Sequence, residues 1–432
     1  MSRFSSVLAF VVLLVGAGCQ SAPAVHLQLV VDHPTALMDM PLAVAVEGAQ
    51  SGARVIVQAR AVSSTGTTWT SSATFTADSQ GRVDLAHARP LPSSSYSGAD
   101  PMGLFWSLTP TSHPAAIPTI PPDPERVTLT ASSDGASANT IVTRLTMGPG
   151  VTERQLTLVA PALFGRYFSP PAQAEPHAAV LVFGGSEGGL SSGVVLEASL
   201  LASHGHPSLA LAYFNEPGLP PALQNVPLDY FVKALTWLGQ QPGVDPRHVA
   251  VMGASRGTEA ALLLGAHFPQ LVHAVVAYAP SSVVNPGLLA TGRGAGGPAW
   301  TLDGQPLPTV TLAEYGLASP AADPQAIIPV EDIHGPILLV SGDDDSLWPS
   351  PEYAHAIMAR LDAAGYPYPH QSLVYPGAGH GVAVAVPYGP APQAVVSSQY
   401  GELVLGGSGP ANARAVADSW PKLLQFLTAA SG

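Results

Sequence analysis

A single cysteine, Cys19, stands in a chain of 432 residues. No intrachain disulfide can form, so stability must come from packing. Nothing after residue 19 can act as a cysteine nucleophile or a thiolate metal ligand. Lysine is almost as scarce: Lys233 and Lys422 are the only two, and the formal net charge is −13. A surface of that sign repels phosphate backbones, which excludes nucleic acid as a partner and gives no general attraction to polyanionic substrates. Beyond the first residues no apolar run reaches the length of a transmembrane helix. The 14 histidines are scattered without a His-Glu-x-x-His pattern, so neither a metal site nor a cofactor is expected.

The longest unbroken apolar stretch is Val7-Leu-Ala-Phe-Val-Val-Leu-Leu-Val15, which follows Arg3 and has the length of an export signal rather than of a membrane span. It runs into Gly16-Ala-Gly-Cys19, which resembles the lipobox of bacterial lipoproteins, with Gly16 where Leu is usual. The resemblance implies that residues 1–18 are a lipoprotein signal peptide and that Cys19 is lipidated. The protein is then exported and anchored to the bacterial membrane on its periplasmic or cell-surface side. An ordinary secretory signal, with Cys19 incidental, exports the chain as well.

The length and apolar content suit two cores. Residues 24–152 contain short alternating runs such as Leu42-Ala-Val-Ala-Val46, Arg54-Val-Ile-Val-Gln-Ala59, Arg126-Val-Thr-Leu-Thr130 and Ile141-Val-Thr-Arg-Leu-Thr146, separated by Gly, Ser, Pro and Asp. That pattern predicts an antiparallel β-sandwich, with the Pro-rich stretch at 114–124 as a loop or extended edge. Residues 153–432 instead alternate apolar strands with helical patterns: strands at 178–183, 208–214, 273–279, 336–341 and 371–375, and helices at 191–203, 227–240, 351–364 and 411–429. This alternation predicts a mostly parallel sheet with helices on both faces. Between Ala279 and Ile333 a Gly- and Pro-rich segment lacks periodicity and has a size common in lids over a site.

The most informative stretch is Val249-Ala-Val-Met-Gly-Ala-Ser255-Arg-Gly-Thr-Glu-Ala-Ala-Leu-Leu-Leu264. An apolar strand ends in Gly-x-Ser-x-Gly and a helix begins at once, the pattern of a nucleophile elbow in an α/β-hydrolase. The same pattern recurs at Gly184-Gly-Ser186-Glu-Gly188, after the strand Ala178-Ala-Val-Leu-Val-Phe183. Ser255 is the better nucleophile because a helix follows it directly, whereas Ser186 sits in a loop that continues through Gly189 and Leu190. That loop, from Gly184 to Gly189, is placed to supply the oxyanion hole.

A serine hydroxyl needs a base, and the base needs an orienting acid; in this fold they follow in the order Ser, Asp or Glu, His. The strand Ile337-Leu-Leu-Val340 leads into Ser341-Gly-Asp-Asp-Asp-Ser-Leu-Trp348, where Asp345 is the first choice, Asp344 the second, and Asp343 a solvated turn residue. The strand Gln371-Ser-Leu-Val-Tyr375 leads into Pro376-Gly-Ala-Gly-His380, a histidine on a flexible loop able to reach the elbow. The expected triad is Ser255, Asp345 and His380.

With these residues in place, the chain resembles the acyl-CoA thioesterase and bile acid-CoA:amino acid N-acyltransferase family across nearly all of its mature length. The likeness is carried by Ala99-Asp-Pro-Met-Gly-Leu-Phe-Trp-Ser-Leu108, Ala198-Ser-Leu-Leu-Ala202, Leu211-Ala-Tyr-Phe-Asn-Glu-Pro-Gly-Leu-Pro220, the Ser255 elbow, 342–348 and Tyr375-Pro-Gly-Ala-Gly-His380. It implies a β-sandwich followed by an α/β-hydrolase domain and hydrolysis of acyl-CoA thioesters through an acyl-serine intermediate. The oxyanion donors would be the N–H of Arg256 and that of Gly184 or Gly185. Members that conjugate amino acids carry Cys as nucleophile, so Ser255 points to water rather than an amine as acceptor. The stretch from Phe183 to Ser199 is longer here than in animal members, and an exported protein does not meet cytosolic CoA esters. A carboxylesterase or lactone hydrolase using the same triad is therefore a second reading, and an inactive lipid-anchored binding protein a third.

Overall fold

Strands covered by helices on both faces have no solvent side, which is why their sequences are unbroken apolar runs. In a computed structural model that describes residues 26–63, 66–112, 125–171, 177–289, 296–311, 314, 324–398 and 401–430, such runs build an eight-stranded sheet. Its strands are β1 (Thr152–Leu156), β2 (Phe164–Ser169), β3 (His177–Phe183), β4 (Ser208–Ala212), β5 (Val244–Ala254), β6 (Ala274–Tyr278), β7 (Ile337–Gly342) and β8 (His370–Tyr375), in the order β1-β2-β4-β3-β5-β6-β7-β8. The last six of that order are parallel; β1 and β2 add an antiparallel edge.

The period of two along each strand sorts side chains between two cores. Leu181, Leu209, Val251, Val275 and Leu339 pack beneath helices α2 (Leu228–Gly239), α3 (Gly257–His267) and α4 (Ser350–Ala363). Their neighbours Val182, Ala210, Met252, Val276 and Val340 face α1 (Ser192–Ser203) and α5 (Gly409–Ala429). Side chains of Ser191 and Ser408 cap α1 and α5 by accepting N–H bonds from Val194 and Ala411.

One buried group on α1 is out of keeping with its apolar setting. Glu197 is 4% exposed, and its carboxylate accepts one bond, from the Ala385 N–H at 3.2 Å. Burial pushes its pKa from about 4.5 up to about 8, and the nearby charge of Glu187 pushes the same way. The folded chain therefore holds a proton that the unfolded chain has released between those values. Stability falls as pH rises across that window, by about 1.4 kcal/mol per pH unit while the two states differ by one proton. Glu197→Gln, which keeps an acceptor for Ala385, is expected to flatten that decline and raise the melting temperature at pH 8 relative to wild type while changing little at pH 5.

Residues 26–145 form two further sheets, one of Gln28–Val31, Val44–Glu47 and Val83–Asp84, and one of six strands including Arg54–Val62, Thr68–Thr76, Glu125–Ser133 and Ala136–Leu145. One apolar core holds residues of both, among them Val44, Val57, Phe75 and Leu129. The pairing of Thr35–Leu37 with 143–145 is parallel, a departure from the all-antiparallel expectation: Pro34 accepts from the Thr143 N–H and sets the chain running alongside its partner. A single helical turn, Gly103–Trp106, plugs this core, and Asp100 holds it by accepting from the Met102 N–H and the Trp106 ring N–H, each at 2.8 Å. The Pro-rich stretch at 114–124, the signal segment 1–18 and Cys19 lie outside the described residues.

Polar contacts join this region to the large sheet's helices. Asp39 accepts from the Trp420 indole N–H at 2.8 Å and pairs with His204, whose pKa that contact raises. Ser199 donates to the Thr146 carbonyl at 2.7 Å, and Ala391 N–H to the Trp106 carbonyl at 2.9 Å.

Candidate active site

In a parallel sheet all carboxyl ends lie on one edge, so residues just past β3, β5, β7 and β8 share one rim. Ser255 follows β5, and its backbone φ is +52°, a left-handed conformation that a serine adopts only when its surroundings enforce it. Its N–H donates to the Tyr278 carbonyl at 2.8 Å, and its carbonyl accepts from the N–H and hydroxyl of Thr258 at 2.9 and 2.7 Å. The flanking glycines are required by contact: a Cβ on Gly253 would lie 2.5 Å from the Gly257 oxygen, and one on Gly257 would lie 2.3 Å from the Gly184 oxygen. The bend thus turns Ser255 away from both strand and helix.

The hydroxyl reaches His380. Its Oγ lies 2.9 Å from Nε2, while Nδ1 lies 2.9 Å from Oδ2 of Asp345. A carboxylate can only accept, so Nδ1 carries the proton and Nε2 offers its lone pair to the serine hydroxyl. The Asp345 side chain is fully buried, and its oxygens also accept from the Leu347 and Trp348 N–H groups and the Ser350 hydroxyl, at 3.0, 3.3 and 2.6 Å. These bonds compensate the buried charge and fix its direction. Trp348 sets its ring edge-on to the imidazole with centroids 5.8 Å apart.

The three consecutive aspartates have three different tasks. Asp343 accepts from the Gly377 N–H at 2.6 Å and Asp344 from the Gly407 N–H at 3.1 Å, both exposed and both holding loops. Asp345 alone meets His380. Both imidazole nitrogens are engaged by Asp345 and Ser255, which leaves Ser186, in the loop after β3, outside this arrangement.

Several supporting residues escape a reading of the sequence. The Leu405 carbonyl accepts from the N–H groups of His380 and Ser346, at 2.8 and 3.3 Å, and so ties the acid and histidine loops together. Buried Asn412 accepts from the Gly379 N–H at 2.8 Å and donates to the Pro392 carbonyl. A Gly-Gly pair at 406–407 signals a turn, but nothing in the sequence ties it to Asp344 or Gly379, which it meets in the fold.

Beneath the elbow, Arg256 and Glu259 form a buried ion pair at 2.8 Å. Arg256 also donates to the carbonyls of Asn285 and Pro286, and Glu259 accepts from the Trp300 ring N–H at 2.8 Å. Asn285, Pro286 and Trp300 of the aperiodic 279–333 segment are thus tied to the elbow, with Ser281, Asn285, Ala299 and Trp300 fully buried. Gly185 lies against the nucleophile, since a Cβ there would sit 2.8 Å from that of Ser255, and the Gly184 carbonyl accepts from the Tyr213 hydroxyl at 2.9 Å. Among the described residues no group of three or more His, Cys, Asp and Glu side chains could hold a metal ion, and no helix is long and apolar enough to cross a membrane.

Comparisons with known proteins bear on the whole chain. Residues 39–158 match the acyl-CoA thioester hydrolase/BAAT N-terminal region, and residues 226–432 match the BAAT/acyl-CoA thioester hydrolase C-terminal family. Acyl-coenzyme A thioesterase 6 of Mus musculus is 31% identical, with 90% of this chain and 93% of that protein aligned. Acyl-coenzyme A amino acid N-acyltransferase 2 of Rattus norvegicus is also 31% identical, over 93% and 97% of the two chains. The two matched regions lie one in each part of the molecule and both relatives span the two, so this chain belongs to the acyl-CoA thioester hydrolase/BAAT family.

Proposed function

We propose that the protein hydrolyses acyl thioesters, of the acyl-CoA type, through an acyl intermediate on Ser255. The observation that carries this reading is the relay of two 2.9 Å contacts, Ser255 to His380 to Asp345, on a strained elbow. His380 takes the serine proton as the hydroxyl attacks the thioester carbonyl, and returns a proton to the departing thiolate. It then activates water against the acyl-serine, while Asp345 stabilises the imidazolium. The Arg256 N–H, at the start of α3, and the Gly185 N–H, beside Ser255, are the donors proposed for the oxyanion; Gly184 is less suited because its neighbour is the glycine in contact with the nucleophile. Membership of the family, whose similar relatives include thioesterases and an N-acyltransferase, supports the acyl-CoA assignment.

The test compares acyl-CoA esters with p-nitrophenyl esters of matched chain length on protein lacking residues 1–18. A higher kcat/KM on the thioesters is expected; a strong preference for the oxygen esters would turn the reading to a carboxylesterase or lactone hydrolase.

We further propose a domain division at about residue 152, with residues 24–152 as a β-sandwich and 153–432 as the α/β-hydrolase domain. The shared core of the two N-terminal sheets supports it. Export with a lipid anchor on Cys19 rests on the apolar run at 7–15 and the small residues before the cysteine. Expression in a bacterial host with labelled palmitate is expected to label wild type and not Cys19→Ala, and equal labelling of the two would remove the anchor.

A further inference from the structure

One charged side chain beside the nucleophile has no part in the relay. Glu187 belongs to the loop after β3 and lies on its accessible side, yet its carboxylate is turned inward, with both oxygens 3.0 Å from the Gly185 nitrogen. The space is tight: a Cβ on Gly184 would lie 1.9 Å from Oε1, and one on Gly185 would lie 3.2 Å from Oε2 and 2.8 Å from the Ser255 Cβ. Gly188 and Gly189, both at positive φ, bend the chain after Glu187, and the Gly189 N–H donates to the Phe214 carbonyl at 2.9 Å, which holds the bend. The carboxylate, the Gly185 amide and the nucleophile therefore share one small volume.

Taking Ser255 as nucleophile, as argued above, we propose that Glu187 controls access to the second oxyanion donor: its carboxylate holds the Gly185 N–H in the resting enzyme and must release it before Ser255 is acylated. One N–H cannot serve a carboxylate and an oxyanion together, because the two are like charges competing for a single proton. The groups in electrostatic reach of Glu187 are His380, which favours its charged form, and Glu197 and Tyr213, whose own ionisation it opposes. The residue as a whole is exposed, although burial of the inward-turned carboxylate raises its pKa, so rotating the side chain outward returns that group to water and a substrate acyl oxygen then takes its place. Acylation is consequently slower than the relay alone would allow, and the enzyme favours ligands able to displace the carboxylate.

An alkylboronic acid, which forms an anionic tetrahedral adduct on a serine, reports the affinity of the oxyanion site directly. Glu187→Ala, which removes both charge and acceptor, is expected to bind it at least tenfold more tightly than wild type and to show a higher kcat/KM on acyl thioesters. Glu187→Gln, which keeps an acceptor but loses the charge, is expected to fall between. Boronate affinity unchanged or weaker in Glu187→Ala would overturn the proposal, and melting curves matching wild type exclude a folding defect as the cause. Labelling by a fluorophosphonate, mapped to Ser255 in wild type, separates this outcome from failure of the nucleophile assignment: a label absent from Ser255 would remove the premise itself.

Discussion

Ser255→Ala is expected to lower kcat on acyl thioesters by roughly 10⁵–10⁶-fold while leaving the fold intact. The loss is that large because the hydroxyl is the only group His380 can activate from its present position, at 2.9 Å. Without it, His380 and Asp345 have no nucleophile to work through, and only the oxyanion donors and substrate binding remain to favour reaction. The substitution is mild structurally. The serine hydroxyl is partly exposed, the bend is enforced by Gly253 and Gly257 and by the backbone bond to Tyr278, and an alanine retains all of these. Turnover assays on purified protein with matched melting curves measure both halves of the expectation. Ser186→Ala, by contrast, should keep near-normal kcat; full activity in Ser255→Ala with loss in Ser186→Ala would reverse the assignment.

Asp345→Asn is expected to cost about 10⁴-fold in kcat, and Asp343→Asn and Asp344→Asn only a few-fold. Donors and acceptors around the carboxylate decide the outcome. Oδ1 of Asp345 is fixed by the N–H groups of Leu347 and Trp348, so an asparagine there must keep its oxygen on that side. Its amide nitrogen then faces His380 Nδ1 and donates to it, which moves the ring proton to Nε2. An Nε2 that carries a proton cannot accept one from Ser255. The other two aspartates accept only from the backbone of Gly377 and Gly407, a task an asparagine oxygen performs as well. A larger loss in Asp344→Asn than in Asp345→Asn would show that the acid had been misassigned.

Much of this site was legible because its chemistry demands particular residues at particular places. A nucleophile elbow cannot be built without small residues on either side of the serine, and the contacts at Gly253 and Gly257 are the physical reason. The helices and parallel strands were legible for the same kind of reason, since a doubly covered strand must be apolar throughout. What the sequence concealed are elements whose inward positions are filled by polar or small groups. Strand Thr68–Thr76 reads poorly because inward-facing Ser71 replaces an apolar residue; it is tolerated because its hydroxyl donates to the Leu104 carbonyl at 2.5 Å. The antiparallel edge strands 152–156 and 164–169 were hidden because the first exposes most of its residues and carries the charges of Glu153 and Arg154. Residues that position the triad, such as Ser350, Leu405 and Asn412, act through a backbone group or an ordinary polar side chain. No local pattern marks that role, because it depends on loops brought together only by the completed sheet.

The most direct measurement is to quench the enzyme during turnover of a long-chain acyl-CoA, digest it and locate the acyl group by mass spectrometry. The account predicts an acyl adduct on the peptide containing Ser255, enriched when hydrolysis of the intermediate is slowed. An adduct on Ser186 or elsewhere, or none while turnover proceeds, would contradict it.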